Sequence, residues 1–145
     1  MTPDQQRLRD ELAAMPERVA AAARHPDPDA SASVGEWSAR EVVLHLAAVE
    51  VEVWQPRLDA LAAETFPTWP WVEPGLWHGP GTASFDGALA VFGAFRAATI
   101  ARLDALDVDG WSRRGHHATY GELDVAALLR IALAHDEEHL TQIQG

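Results

Sequence analysis

Seven histidines are the chemical resource of this 145-residue chain, and three are spaced so that they can meet. His135 and His139 are four apart, so on a helix their imidazoles project from successive turns of one face. They share that face with Val125, Leu128, Ala132 and Ile143, a core stripe on which surface His would not sit. His45 falls among Val42, Leu46 and Val49, on the inward stripe of a second segment. Burying three unpartnered imidazoles is costly; a divalent cation would satisfy all three. Three His also leave positions open for water or substrate, as catalytic rather than structural sites do. The bland alternatives are an exposed pair at 135 and 139 and a hydrogen-bonded core His at 45. The coincidence of three core-facing imidazoles on two segments weighs against both.

Other candidates surround this set. Glu52 lies seven residues after His45, two turns along the same face, and Gln142 lies three after His139. Either can serve as an outer partner or extra ligand, with a solvated rim residue as the plainer reading. His135-Asp136-Glu137-Glu138-His139 also fits H-x-x-E-H, the inverted zincin pattern, with Glu138 as general base. The short chain, the lack of a distant Glu ligand in a suitable helix and the third core His weigh against a protease. His78, His116 and His117 fall in loops that would roof a site at the bundle end, and His25 reads as a linker residue. Arg113 and Arg114 can bind the carboxylates of a cofactor, although surface exposure explains them equally well.

The elements that must hold these residues are helices. The first is expected from Pro3 to Arg24, with Thr2 as its cap, Leu8, Leu12, Met15 and Val19 as its stripe, and a kink or split at Pro16. His25 to Asp29 is a stop. Ser38-Ala39-Arg40-Glu41 is a capping box, with Trp37 placed to staple onto Val42; this second helix reaches Ala63, bent by Pro56. Residues 65–83 hold three Trp and four Pro, too irregular for a regular element and long enough to span a helix, so helices 2 and 3 can run parallel. A third helix follows Ser84 to about Leu106, with Phe85, Leu89, Phe92, Leu103 and Leu106 inward. The fourth begins after Asp124, and no strand-like alternation stands out. The expected fold is a single all-α domain over 1–145, a four-helix bundle.

Composition narrows the function. The chain has 22 acidic and 11 basic residues, all of the latter arginine, and a net charge of −11. That charge repels phosphate backbones and argues against nucleic acid. Without lysine there is no Schiff base, and without cysteine no disulfide, thiolate ligand or sulfur nucleophile. No run approaches the roughly 18 apolar residues that cross a bilayer, and the polar N-terminus lacks a signal-peptide core. A cytoplasmic location, with no membrane partner, is expected.

Two stretches carry a family resemblance. Trp37-Ser38-Ala39-Arg40-Glu41-Val42-Val43-Leu44-His45-Leu46 resembles the W-S-x-x-E-x-x-x-H-L segment of the DinB/YfiT superfamily. Trp111 to Gly121 and Leu128 to Ile143 resemble that family's closing helix, with its H-x-x-x-H-L-x-Q-I ending. The resemblance implies an up-down-down-up bundle with helices 2 and 3 parallel. It implies nickel or zinc held by His45, His135 and His139, and a homodimer. It also implies a small-molecule substrate for either a bacillithiol- or mycothiol-dependent S-transferase or a metal-dependent hydrolase. In the hydrolase the three His would hold a metal-bound water, with Glu138 or Glu52 as base. A non-enzymatic, stress-related binding module is the third reading. The Trp- and Pro-rich crossover departs from the family's pattern and leaves the substrate open.

Overall fold

Local signals start the helices where the sequence places them. The computed structural model describes residues 1–23 and 36–144; the expected end of the first helix at Arg24, the stop after it and His25 lie outside them. In α1 (Pro3–Ala22) the Thr2 hydroxyl accepts from the Gln5 N–H, and the Gln5 carboxamide accepts from the Thr2 N–H. Pro16 does not break α1, contrary to expectation. Proline has no N–H for the carbonyl four residues back, and Arg96 Nη1 takes that Leu12 oxygen at 2.9 Å.

The second rod opens with the Ser38–Glu41 capping box. It comprises α2 (Ala39–Val49), a π-helical turn (Glu50–Trp54) and α3 (Gln55–Ala63), without interruption. Where Pro56 was expected to bend the helix, the chain widens just before it, and the Gln55 N–H donates to the Glu50 carbonyl five residues back. Such turns insert a residue into the rotation of a helix. Two long helices complete the bundle, α4 (Phe85–Asp104) capped by Ser84 and α6 (Val125–Gln144), whose first turn is closed by Asp124 accepting from the Ala127 N–H. A short α5 (Val108–Ser112) precedes α6.

Cross-rod pairs give the directions. Glu50, Gln55 and Asp59 meet Arg96, Thr99 and Arg102 in the same order, so the second rod and α4 are parallel. Arg9 and Leu12 of α1 meet Asp104 and Arg96, in reverse order. Asp4 and Arg18 meet Arg130 and Glu137 in the same order, which sets α6 parallel to α1. The rods thus run up, down, down, up.

The core is two apolar clusters separated by an ionic layer. Leu8, Leu12, Ile100, Leu103, Leu128 and Ala132 belong to one; Met15, Val19, Phe92, Leu140, Ile143 and Leu46 to the other. Between them lie Glu50, Arg96 and Asp136, respectively 0%, 2% and 1% exposed. Arg96 donates through Nε to Glu50, and through Nη1 and Nη2 to the two Asp136 oxygens at 2.8 and 3.0 Å.

A three-stranded sheet corrects the purely helical expectation. β1 (Thr68–Trp69), β2 (Arg114–His117) and β3 (Gly121–Asp124) lie in that order, β1 parallel and β3 antiparallel to β2. Segments of two to four residues offer too few positions for alternation to show. The sheet ties the 65–83 crossover to the loop before α6, with His116 N–H on Pro67 O and Ala118 N–H on Trp69 O. Gly121, at φ 77°, closes the hairpin in the left-handed region that glycine tolerates. Gly115 is required by contact: a Cβ there would stand 2.4 Å from Cη2 of the buried Trp69 ring. Gly115→Ala should therefore cost about 1–3 kcal/mol, read as a lower urea midpoint; an unchanged midpoint would mean that the ring yields freely.

Candidate metal centre

Two helices bring the His together. α2 supplies His45, and α6, antiparallel to it, supplies His135 and His139; one nitrogen from each lies within 4.8 Å of the others. Ring centroids are 5.4 Å apart for His45–His135, 4.8 Å for His45–His139 and 4.5 Å for His135–His139. The two α6 imidazoles are not on the core stripe itself. Asp136 takes that slot, between Ala132 and Leu140, and the His flank it, half-buried. His45 is buried. Trp37, expected to staple the helix start, lies over the site with its ring 4.7 Å from His45.

Backbone and side-chain acceptors orient the rings. His45 Nδ1–H donates to the Gly75 carbonyl at 3.1 Å, and His139 Nδ1–H to Gln142 Oε1 at 2.6 Å. In both rings Nε2 is thereby the unprotonated nitrogen. His139 Nε2 faces His135 Nε2 at 3.2 Å, and His135 Nδ1 is buried with no partner. The two facing nitrogens can share only one proton, and a cation between the rings would take both lone pairs. Burial, then the neighbouring His, hold His135 at about 4; burial likewise lowers His45. His45 and His135 are therefore available as neutral donors near neutrality, the form a metal needs. Among the described residues no fourth His, Asp or Glu joins the group, so the donor set fits an open three-His centre.

Depressed imidazoles carry a pH signature in the metal-free protein. The unfolded chain protonates near 6.5, whereas folded His135 resists until about 4. Stability is then complete above the unfolded value and is lost as pH falls through that window. Melting temperatures measured downward from neutral pH should decline across it; a flat profile would show that the folded His accept protons unopposed.

The His open onto a cavity of about 680 Å³. Val49, Val53 and Trp54 continue its wall along the second rod, Trp71 and Val72 come from the crossover, and His117 and Tyr120 come from the hairpin. The expectation that loops roof the site holds for His117, which lines the cavity, and not for His78 or His116. Glu138 also lines it, with its side chain exposed. Glu52 is exposed and outside, because the π-turn retards the helical rotation and turns Val53 inward instead. Arg113 and Arg114 are likewise outside it: Arg113 bonds the Leu61 and Ala62 carbonyls, and Arg114 pairs with Glu122.

Sequence reasoning passed over Arg57, which lines the cavity at 6% exposure, and the ionic layer beside His135. For Asp136 a signal existed, since it continues the period Leu128, Ala132, Asp136, Leu140, but an acid on a stripe is easily read as solvated.

A family model described as the DinB superfamily matches residues 2–143. Among solved structures the chain is similar to YfiT from Bacillus subtilis, described as a probable metal-dependent hydrolase with an unusual four-helix bundle topology. The TM-score is 0.79 at 21% identity, over 99% of this chain and 85% of that one. No curated protein matches the chain. Among the described residues no helix is long and apolar enough to cross a membrane.

Proposed function

The chain belongs to the DinB superfamily, and on that premise we propose a divalent-metal-dependent enzyme that transfers a low-molecular-weight thiol onto an electrophilic small molecule. The observation that carries this reading is the set of three convergent imidazoles opening on a large cavity, with no fourth protein donor among the described residues. His45, His135 and His139 would hold nickel or zinc. Bound there, the metal supplies a Lewis acid that lowers a thiol's pKa. The protein has no cysteine, so the sulfur arrives with a cosubstrate such as bacillithiol or mycothiol.

The chain's residues then have separate tasks. Gly75 and Gln142 fix the tautomers of His45 and His139. Trp37, Trp54 and Trp71 present apolar faces that hold the electrophile and exclude water. Glu138 takes the thiol proton as the sulfur–carbon bond forms, and the leaving group departs with its electron pair. A homodimer in the cytoplasm belongs to the same proposal.

A hydrolase is the second reading, favoured by the exposed Glu138 carboxylate at the cavity, where it would accept a proton from water. The two separate on one assay. Protein loaded with nickel or zinc is offered a fluorogenic electrophile with bacillithiol or mycothiol, and ester and amide libraries without thiol. Turnover that needs both metal and thiol supports the transferase. Thiol-independent turnover that is lost on chelation replaces it with the hydrolase. No turnover, with equal melting temperatures with and without chelator, leaves the binding module.

A further inference from the structure

We propose that the end of the cavity beyond Trp54 is a subsite for a carboxylate, held by Arg57 and His117, so that the small molecule bound there is an apolar or aromatic monocarboxylate. This rests on the reading of the cavity as the reaction site and assigns its substrate class.

Arg57 is the key observation. It stands three turns along the second rod from His45, roughly 18 Å at 1.5 Å per residue, and lines the same cavity. Its side chain is buried, yet among the described residues no carboxylate comes within ion-pair distance of it. Its one hydrogen bond is from Nη2 to the Pro70 carbonyl at 3.3 Å. The guanidinium is otherwise flanked by the faces of Trp54 and Trp69, with Cζ at 5.7 and 5.9 Å from the ring centroids. Buried arginines are ordinarily paired, and Arg7, Arg9, Arg18, Arg96, Arg102, Arg114 and Arg130 each meet Asp or Glu. The missing partner is an anion that the protein does not supply.

His117 completes the subsite. It is 1% exposed. Its Nδ1 accepts from the Thr119 and Tyr120 N–H groups at 2.9 and 3.1 Å. The ring proton is therefore on Nε2, which makes His117 a neutral donor and not a second cation. One guanidinium fork with one N–H suits a planar monoanion. A phosphate dianion would meet a single positive charge while Glu73 and Glu138 also line the cavity. Trp71, 6.3 Å from His117 and 6.4 Å from Tyr120, supplies an aromatic wall, and Trp54 separates this end from His135, 6.3 Å away. A ligand anchored by its carboxylate at Arg57 would extend past Trp54 towards the three His.

The test uses 3-phenylpropanoate and its neutral amide, titrated into metal-free protein and followed by quenching of tryptophan fluorescence. The carboxylate should bind about tenfold or more tightly than the amide. Arg57→Gln should abolish that preference, and Arg57→Lys should restore part of it, with near-UV circular dichroism confirming the fold of each. Equal affinities in the wild type, no binding of the carboxylate, or an unchanged preference in Arg57→Gln would each overturn the subsite. Zinc titrations on the same samples keep the two readings apart. Zinc bound without carboxylate preference removes the subsite alone, and carboxylate preference without zinc binding removes the metal enzyme alone.

Discussion

His135→Ala should weaken divalent-metal binding at least about 100-fold, more than the loss of an outer partner of a ligand ordinarily does, as measured by competition with a chromogenic chelator. Two imidazoles on different helices would remain, His45 and His139, whose ring centroids are 4.8 Å apart. The same substitution removes the imidazole held at about 4, which has one nitrogen buried without a partner. Metal-free His135→Ala should consequently lose little stability at neutral pH and should melt with a weaker acid dependence than the parent. Retention of full metal affinity would move the centre elsewhere. A large loss of metal-free stability would make His135 a structural core residue.

Arg96→Met should destabilise the fold by about 3–5 kcal/mol, the range for stripping the partner from buried charges. Two carboxylates and the Leu12 carbonyl depend on this one guanidinium. Burial already pushes the Glu50 and Asp136 carboxyls up, and Arg96 pulls against it. Without Arg96 both would take up protons in the folded state. The deficit should therefore shrink as pH falls towards the carboxylate range and be largest near neutrality. Urea unfolding at several pH values measures it. A loss below about 1 kcal/mol, the scale of a surface pair, would show that the layer adapts without its cation.

The ionic layer also bears on the metal centre. Asp136 follows His135 directly, and its bidentate pairing with Arg96 locks this turn of α6 against α4 and, through Glu50, against the second rod. The helices that present His45 and His135 are thus joined by one buried guanidinium. The layer sets two carboxyl groups against one guanidinium, beside a site that suits a cation. Glu50 Oε2 has no hydrogen-bond partner, and burial pushes both carboxyls up against the pull of Arg96.

Helix starts were legible because their determinants are local. Thr2, Ser38, Ser84 and Asp124 each close a turn within three residues of themselves. The three His were legible because helical spacing places residues on faces, and two faces of a bundle must meet. Legibility failed where a residue's role depended on a distant partner. Arg96 was unremarked on α4 because its partners sit 84 residues before it, 46 before it and 40 after it. Pro16 read as a break because the donor that makes it tolerable comes from another helix. Glu52 read as facing His45 because a uniform helix was assumed across what is a π-turn. Arg57, inside the second rod, carries no mark in the sequence, because its place at the cavity depends on the crossover and hairpin that pack over it.

Sequence alone therefore determined the bundle, its caps and the three imidazoles that converge, since these follow from periodicity and from hydrogen bonds made within a few residues. The tertiary structure decided which residues accompany them: Trp37 over His45, Glu138 at the cavity, the buried Glu50–Arg96–Asp136 layer, and Arg57 beside His117. Those choices rest on the rotation introduced at residues 50–54 and on a small sheet pinning the crossover, and both arise from contacts between segments far apart in the chain. The absence of cysteine removes thiolate from the metal's possible ligands at the outset and puts imidazole and carboxylate first. Only packing could show that one of the eleven arginines is buried at the cavity without a carboxylate of its own.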